Sequence, residues 1–338
     1  MSKTIVMTGG GTGGHLAIIK AVKEKLKDEE LIYIGSTTGQ DRVWFGDDSD
    51  FSNRYFLETK GVANRAFIQK VGSLANIAKA TKRAYTILKK HRADVVFSVG
   101  GYSAAAAAFA SKLLGVSLVI HEQNAVPGSL NKILKPYSCK FISSFSKDSF
   151  PYPVEQIFFD KSRVRKEIKT IIFLGGSQGA VAINNLALSM AKELQKRGIK
   201  IIHQAGERNI KKVKEDYQKL EVEAEVFGFS KNLPEYMQMA DFAIARAGAS
   251  TLWELSANGV PTLFIPYPYA HKDHQYYNAK FLADKNLAWV LRQDEIRKDE
   301  IFEILDANIE KVSKGLIDFT PKDGSKKIAE AILECARD

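Results

Sequence analysis

The feature that most constrains the fold is a strand followed by a glycine-rich turn and a helix, because this unit occurs twice. The first copy is the apolar run 4–7, which leads into "MTGGGTGGHL". The second is the apolar run 170–174, which leads into "GGSQGA" and a helical pattern. Glycines allow a sharp turn and a close approach to a ligand, and the following helix N-terminus favours negative groups. The repeat predicts two similar α/β domains, each with a candidate binding turn.

Short strands alternate with helical patterns along the rest of the chain, which is typical of parallel sheets. A break follows in "FPYPVEQIFFDKSRVRKEIK", with Pro151 and Pro153 near its start. We therefore predict two Rossmann-like domains facing a cleft. The first spans residues 1–160 and takes back a C-terminal helix, 324–338; the second spans residues 161–323. Further strands are expected at 31–34, 95–99, 117–121, 199–203, 241–246 and 262–265.

Composition supports a globular, cytoplasmic protein. The 338 residues are 45% hydrophobic and 26% charged, which suits two domains of ordinary size. No run approaches the ~20 apolar residues of a membrane-spanning helix, and the chain enters a strand too early for a signal peptide. The only cysteines, Cys139 and Cys335, lie far apart without metal-ligand spacing. We expect two unpaired thiols in a reducing cytosol.

Residues 9–14 satisfy the dinucleotide fingerprint G-x-G-x-x-G, but their surroundings argue against it. A dinucleotide site needs an acidic residue at the end of the second strand, and here that strand ends in Gly35 and Ser36. A nucleoside-triphosphate loop needs Lys followed by Ser or Thr, where this chain has His15 and Leu16. The first turn is therefore either a different ligand-binding turn or a tight bend.

Positive charge is concentrated in one segment. The net charge is +10, and no acidic residue lies between Glu58 and Asp94. Basic side chains share one face of a helical pattern there, next to apolar residues, which suits an anionic membrane surface at about 1 kcal/mol per basic residue. A solvated helix face is the alternative, as is nucleic-acid binding, although no recognised motif accompanies the charge. The candidate surface residues are Phe67, Ile68, Lys70, Val71, Lys79, Lys82 and Arg83.

The second half adds polar candidates. Arg246 ends a strand, and Glu254 is expected three to four residues into the next helix, where a carboxylate can accept both hydroxyls of a ribose. His271 and His274 lack a third ligand for a metal ion. The segment Asp48–Ser49–Asp50 matches the D-x-D of metal-dependent sugar transferases, but no strand leads to it, so we expect a solvated loop. We predict no metal and no cofactor.

Several motifs together resemble the MurG family of N-acetylglucosaminyltransferases. They are "GGGTGGH", "SVGGYSAAAAA", "HEQNAVPGSLNK", "GGSQGAVAIN", "RAGASTLWELSANGVPTLFIPYP" and "HQYYNA", in the family's order over about residues 5 to 290. The resemblance implies the glycosyltransferase B fold. It also implies inverting transfer of GlcNAc from UDP-GlcNAc to the 4-hydroxyl of MurNAc in lipid I, at the inner face of the cytoplasmic membrane. Other cell-wall synthesis proteins are possible partners. A UDP-GlcNAc 2-epimerase of the same fold, or a non-catalytic nucleic-acid-binding protein, is the alternative.

The resemblance also implies roles for particular residues. Ser177 and Gln178 match the turn that meets the donor diphosphate, Glu254 the ribose carboxylate, and Gln275 a sugar contact. His15 is the predicted general base, with Glu122 as the alternative. Arg163 competes with Arg165, and His274 with Gln275, because the sequence departs locally from the family pattern. The full set of donor-binding candidates is Thr12, Gly13, Gly14, Asn124, Arg165, Ser177, Gln178, Ser230, Arg246, Ala249, Ser250, Thr251, Glu254 and Gln275.

Overall fold

In the computed structural model, residues 2–59, 67–145, 150–176, 179–230 and 232–336 are described, without the side chains of 67–74. The chain divides into two compact units. The first consists of Met1–Glu155 together with Asp323–Asp338, and the second of Gln156–Lys322.

Each unit contains a parallel six-stranded sheet. The first has the order β3-β2-β1-β4-β5-β6, and the second has β12-β11-β10-β7-β8-β9, so both units repeat one topology. Every strand pair is parallel. The strands are β1 (Thr4–Thr8), β2 (Glu30–Ser36), β3 (Asn53–Leu57), β4 (Val95–Ser98), β5 (Ser117–Glu122), β6 (Lys140–Ser143), β7 (Thr170–Leu174), β8 (Lys200–Gln204), β9 (Ala224–Phe227), β10 (Phe242–Ala245), β11 (Thr262–Phe264) and β12 (Trp289–Val290).

Helices connect the strands and cover the sheets. Short 3-10 turns lie at Lys135–Tyr137 and His271–Asp273. The α-helices are α1 (Gly13–Lys23), α2 (Asp41–Phe45), α3 (Phe67–Lys90), α4 (Ala105–Leu114), α5 (Ser129–Leu134), α6 (Gln156–Asp160), α7 (Val181–Lys196), α8 (Ile210–Lys219), α9 (Leu233–Met239), α10 (Ala249–Asn258), α11 (His274–Ala283), α12 (Lys298–Leu305), α13 (Glu310–Phe319) and α14 (Gly324–Cys335).

Apolar side chains from strands and helices form a separate core in each unit. In the first unit, Ala84 and Leu88 of α3 and Ala107 of α4 pack against Val96 and Ile120 of the sheet. The second unit has an equivalent core between α7 and α8 and the strands β7, β8 and β10. The strands are buried on both faces, as expected for parallel sheets between helices. The prediction of two Rossmann-like α/β domains is confirmed.

The C-terminal helix α14 packs on the first unit, where it contacts α1 and the strands β4, β5 and β6. This return brings Cys335 to Cys139, and the two form a disulfide with a Cα–Cα distance of 6.2 Å. The expectation of two unpaired thiols is therefore wrong. A separation of 196 residues does not predict the pair, because only the packing of the last helix on the first unit brings the sulfurs together.

No α-helix within the described residues has both the length and the apolar character needed to cross a membrane.

Candidate active site

Each of the two sheets has its own switch point, where the strand order reverses beside the first strand of the unit. In open α/β sheets, ligands bind outside the carboxyl ends of the strands at such a point. In the first unit it lies between the glycine turn after β1 and the Gly100–Gly101 turn after β4. In the second unit it lies between the 175–180 turn and residues 246–248. There the Arg246 N–H donates to the Leu174 carbonyl at 3.1 Å.

The first glycine turn leads directly into α1. Gly11 has a φ of +82°, and a Cβ at this position would lie 2.8 Å from the Tyr102 ring. Only glycine fits this combination of backbone angle and close approach. Thr12 is exposed and is the N-cap residue of α1, and Gly13 and Gly14 are its first two residues. The turn thus presents the start of α1 at the switch point.

His15 is half-buried in the first turn of α1, and both of its ring nitrogens have partners. The Nδ1 atom lies 2.9 Å from Thr12 Oγ1, and Nε2 lies 3.0 Å from the side-chain nitrogen of Gln123. His121, which is fully buried beside it, has its pKa lowered to about 3 by burial and by the nearby His15. His121 therefore stays neutral, and His15 is the half-buried imidazole beside it at this edge of the sheet.

Glu122 supports the loop after β5. Its carboxylate accepts hydrogen bonds from the Asn124 N–H at 3.0 Å, the Gly128 N–H at 2.9 Å and Asn131 Nδ2 at 2.8 Å. The residue is only 2% exposed. Both oxygens accept hydrogen bonds from the loop or from the start of α5, and these bonds hold the Gln123–Asn124 segment in place. The geometry therefore favours a positioning role over that of a general base.

The second glycine turn repeats this design. Gly179 has a φ of +75°, and a Cβ there would lie 2.3 Å from the Ala205 carbonyl oxygen. The turn leads into α7, whose first turn has no acidic residue to offset the positive end of the helix dipole. Ser177 and Gln178, predicted to meet the diphosphate, lie outside the described residues. What the structure describes is a helix start suited to an anion.

Arg246 supports the loop that follows β11. Its Nη1 donates to the carbonyls of Ile265 at 3.0 Å and Pro266 at 2.9 Å, and its Nη2 donates to Gln293 Oε1 at 2.7 Å. Burial lowers the pKa of this guanidinium. In the same loop, the Tyr267 N–H donates to Gln275 Oε1 at 3.0 Å. The competing residue His274 instead has its Nδ1 3.0 Å from the His271 carbonyl oxygen.

The helix α10 starts at the second switch point. Ala249 and Ser250 are buried, and Thr251 and Glu254 are half-buried. Glu254 is the sixth residue of α10, two to three residues deeper than the sequence suggested. The sequence analysis did not single out Asn278, which is fully buried and donates from Nδ2 to the Ala247 carbonyl at 3.1 Å. Its place in the "HQYYNA" motif was the available signal.

Ser230 follows β9 in the second unit. It is half-buried, and its Oγ accepts a hydrogen bond from the Asn232 N–H at 3.0 Å. The preceding residue, Phe229, is 44% exposed, and its N–H donates to Glu207 at 2.6 Å.

Arg165 lies in the interior of the second unit. It is 0% exposed, and its guanidinium donates to the carbonyls of Ala240 at 3.1 Å and Met237 at 3.0 Å and to Asn258 Oδ1 at 2.6 Å. Burial and the nearby Arg163 lower its pKa to about 9. The guanidinium is thus fully engaged inside the second unit, and its predicted contact with the donor stays a prediction. Arg163 is likewise engaged, donating to Asp241 at 2.7 Å.

The acidic and histidine motifs do not form a metal site. Asp48 and Asp50 both pair with Lys23 Nζ, at 2.7 Å and 2.5 Å. Across the part of the chain that the structure describes, no group of three or more potential ligands could hold a metal ion.

The predicted membrane face lies on α3. Lys79, Lys82 and Arg83 are exposed there. The side chains of Phe67, Ile68, Lys70 and Val71 lie outside the described residues.

Comparison with known proteins identifies the family. The sequence profile of the glycosyltransferase family 28 N-terminal domain matches residues 5–142, and that of the family 28 C-terminal domain matches residues 170–332. A crystal structure of Acinetobacter baumannii MurG superposes with a TM-score of 0.79, at 27% identity, covering 98% of this chain and 99% of that one. A putative UDP-N-acetylglucosamine 2-epimerase from Listeria monocytogenes, at 10% identity and a TM-score of 0.62, shares the fold alone.

Curated relatives are closer in sequence. A protein from Sulfurovum sp. (strain NBC37-1) is 60% identical over 336 residues, covering 99% of both chains. One from Campylobacter jejuni subsp. jejuni serotype O:23/36 (strain 81-176) is 51% identical over 333 residues, covering 98% of this chain and 97% of the relative. Both are named UDP-N-acetylglucosamine--N-acetylmuramyl-(pentapeptide) pyrophosphoryl-undecaprenol N-acetylglucosamine transferase. The chain therefore belongs to glycosyltransferase family 28 and, within it, to the MurG family.

Proposed function

We propose that this chain is the inverting glycosyltransferase that moves GlcNAc from UDP-GlcNAc to the 4-hydroxyl of MurNAc in lipid I, giving lipid II and UDP for peptidoglycan synthesis. The observation that carries the proposal is the 60% identity, over 99% of both chains, to a relative bearing this transferase name. The polar residues at both switch points agree with it. The alternative function, a UDP-GlcNAc 2-epimerase, is supported only by the fold that this chain shares with such an enzyme.

The second unit is proposed to bind the donor. The positive N-terminus of α7 and the glycine turn before it suit the diphosphate of UDP-GlcNAc, through N–H groups and the helix dipole. Glu254 suits the ribose hydroxyls, because a carboxylate accepts hydrogen bonds from both. Arg246 and Gln275 fix the 265–269 loop beside these groups, and Asn278 fixes the turn before α10. Ser230 is proposed at the uracil.

The first unit is proposed to supply the general base. His15 lies at the switch point of this unit, and an imidazole has an unperturbed pKa of roughly 6.5, close to the working pH of such an enzyme. Asn124 and the Thr12–Gly14 turn lie at the same sheet edge and offer hydrogen-bonding groups to a sugar. Glu122 is proposed to hold the Gln123–Asn124 segment in place, as its three hydrogen bonds indicate.

The proposed reaction needs only the two substrates and a group that accepts a proton. The acceptor O4 attacks C1 of GlcNAc from the face opposite UDP, and its proton passes to His15. The bond between C1 and the phosphate oxygen breaks, and the electron pair leaves with UDP. Backbone N–H groups and the α7 dipole offset the charge that develops on the leaving group, which is electrostatic stabilisation by preorganised donors. The configuration at C1 is inverted.

A membrane-facing surface on the first unit is proposed to reach the lipid substrate. Lys79, Lys82 and Arg83 of α3 are exposed, and α3 packs beside α4. At the end of α4, Leu113 is 68% exposed, and Lys112 Nζ lies 3.2 Å from the centre of the Tyr137 ring, itself 54% exposed. Exposed apolar side chains among lysines suit the interface of an anionic bilayer.

The activity is tested by UDP release from UDP-GlcNAc, with and without a short-chain lipid I analogue, in EDTA. The proposal expects release that depends on the acceptor and survives the chelator. Consumption of the donor without acceptor would instead indicate an epimerase or a hydrolase. No turnover in either tube, with Mg²⁺ restored, would contradict the transferase proposal.

Membrane binding is tested separately, by co-sedimentation with phosphatidylglycerol vesicles and with phosphatidylcholine vesicles. The triple variant Lys79→Glu, Lys82→Glu, Arg83→Glu should lose most of its binding to the anionic vesicles. A matched control reverses Lys211, Lys212 and Lys214, three exposed lysines of α8 in the second unit. Equal losses in the two triple variants would show that net charge alone governs binding and would contradict the proposed surface.

A further inference from the structure

A buried carboxylate outside the family motifs holds the first glycine turn from within. Asp41, the first residue of α2, is 0% exposed. Its Oδ2 accepts a hydrogen bond from the Gly11 N–H at 2.7 Å, and its Oδ1 accepts one from the Ser36 N–H at 2.8 Å. The carboxylate thus joins the glycine turn after β1 to the end of β2.

Tyr33 completes this network. Its hydroxyl lies 3.0 Å from Asp41 Oδ1 and 2.8 Å from the Gly9 carbonyl oxygen, and it is buried. Burial and the neighbouring Asp41 raise the pKa of this phenol, so it remains a hydrogen-bond donor. Within the described residues, the partners of the carboxylate are N–H and O–H donors, and no ion pair involves it.

The packing around the carboxylate is tight on both sides. A Cβ on Gly10 would lie 2.3 Å from Asp41 Oδ1, and one on Gly35 would lie 2.7 Å from the same atom. Gly10, in the turn after β1, and Gly35, in β2, both lie against the carboxylate, and a Cβ on Gly35 would also lie 2.5 Å from the Tyr33 ring. The shape of the turn and the position of Asp41 depend on each other.

The chemistry of this contact differs from that of a nucleotide-binding turn. In such turns, free N–H groups of the glycine backbone bind phosphate oxygens. Here the Gly11 N–H is already bound to an internal carboxylate, which carries the negative charge that a phosphate would bring. In dinucleotide sites an acidic residue near the end of β2 faces the ribose, whereas Asp41 faces inward.

We propose that Asp41 is a positioning and specificity-determining residue of the first unit. It holds the turn that presents Thr12 and His15, and its charge makes this turn accept uncharged hydroxyls of a sugar in preference to a phosphate group. This inference rests on the proposed transferase function, since it assigns the turn to the sugar part of a substrate.

Three variants test the proposal. Asp41→Asn keeps the size of the side chain and removes its charge, while Tyr33→Phe keeps the charge and removes one hydrogen bond. The control Asp47→Asn removes a charge from an exposed residue six positions away. The readouts are kcat, the Kd for UDP by calorimetry, and the inhibition constant of inorganic phosphate against the acceptor. Saturating UDP-GlcNAc keeps the donor turn of the second unit occupied during the inhibition measurement.

Asp41→Asn should lower kcat by about tenfold or more and leave the UDP Kd unchanged, because UDP is proposed to bind the second unit. Removing a charge in contact with the turn should strengthen phosphate inhibition by about tenfold. Tyr33→Phe should lower kcat several-fold without changing phosphate inhibition, and Asp47→Asn should match the wild type. The wild-type enzyme separates the proposal for Asp41 from the proposed transferase function. A wild-type enzyme without acceptor-dependent turnover would refute the transferase function, whatever the Asp41 variants do.

An Asp41→Asn enzyme with wild-type kcat and wild-type phosphate inhibition would overturn the proposal. If that variant does not fold, Tyr33→Phe decides the positioning role, and an unchanged kcat there would overturn it. Asp41→Ala, assayed with added acetate, gives an independent measurement. Recovery of kcat with acetate but not with chloride supports a carboxylate in this position, and equal effects of both salts contradict it.

Discussion

Gln123 holds its side-chain amide nitrogen 3.0 Å from Nε2 of His15, across 108 positions of sequence. Thr12 Oγ1 lies 2.9 Å from the other ring nitrogen, Nδ1. Two loops that follow different strands therefore fix the imidazole plane at one sheet edge. Because an amide nitrogen only donates, Nε2 is the unprotonated ring nitrogen, and an acceptor hydroxyl has to take the place of Gln123 at this atom for His15 to act as the proposed base.

Replacing His15 should affect turnover and not donor binding. His15→Ala removes the proposed base, and general base catalysis contributes about 10²- to 10⁴-fold, so kcat should fall by that factor. The UDP-GlcNAc Kd, measured by calorimetry, should stay within about twofold because the donor is proposed to bind the second unit. His91→Ala is a matched control, since His91 directly follows α3 and contacts Tyr55 of β3. A His15→Ala enzyme that no longer binds the donor would identify His15 as a ligand contact.

Glu122→Gln distinguishes a loop support from a base. In the wild type, each oxygen of the Glu122 carboxylate accepts a hydrogen bond from an N–H group. The NH₂ group of a glutamine would replace one of these oxygens and face an N–H donor. A buried donor would then be unpaired, at a cost of about 1–3 kcal/mol. We expect a lower melting temperature together with lower kcat and an unchanged pKa on the acidic limb of the kcat/KM profile. A variant with wild-type stability whose profile lacks that limb would make Glu122 the base.

The local parts of the architecture were predictable from the sequence, and the contacts between distant segments were not. The strand–glycine turn–helix units have short-range signatures, so both turns and the four inner strands of each sheet were predicted, whereas the edge strands β3, β6, β9 and β12 were not. Asp41 is 30 positions from Gly11, and the two cysteines are 196 positions apart. Met237 and Asn258, which accept hydrogen bonds from the Arg165 guanidinium, are 72 and 93 positions away. Only the packed fold shows that an arginine in a binding motif is turned into the interior.

Arg165 should matter for stability more than for donor affinity. Arg165→Lys cannot reproduce the planar fork that serves the carbonyls of Met237, Ala240 and Asn258, and each hydrogen bond from a charged group contributes about 1.5–3 kcal/mol. The melting temperature of the second unit should therefore fall. The Kd of UDP for the folded fraction should not change. A stable Arg165→Lys protein with a strongly raised UDP Kd would contradict this expectation and support the donor contact predicted from the sequence.

The disulfide between Cys139 and Cys335 should stabilise the attachment of α14 to the first unit. Closing so long a loop restricts the unfolded chain, and the chain-entropy estimate for such a bridge is about 2–5 kcal/mol. Reduction, or Cys335→Ser, should lower the melting temperature of the first unit and make the C-terminal segment sensitive to protease. Calorimetry and limited proteolysis, each with and without a thiol reductant, measure this effect. A Cys335→Ser protein that melts like the wild type under oxidising conditions would show that the bridge adds no stability.

His203 should make the stability of the second unit depend on pH. Its ring is buried between Tyr217 and Asn184. Because Asn184 Nδ2 donates to the Ala205 carbonyl, its Oδ1 accepts from His203 Nε2–H, and His203 Nδ1 accepts from the Tyr217 hydroxyl. Protonation at Nδ1 would disrupt that last bond. Burial lowers the pKa of His203 to about 4.

Between pH 6.5 and about 4, the unfolded chain therefore binds a proton at His203 that the folded chain does not. Unfolding free energy should fall as the pH falls, by about 1.4 kcal/mol per pH unit for this one group. Urea titrations from pH 7.5 to 5 measure the slope. His203→Gln should have a smaller slope, and His271→Gln, at an exposed position, should keep the wild-type slope. Equal slopes in all three proteins would mean that the imidazole of His203 gains its proton as easily in the folded chain as in the unfolded one.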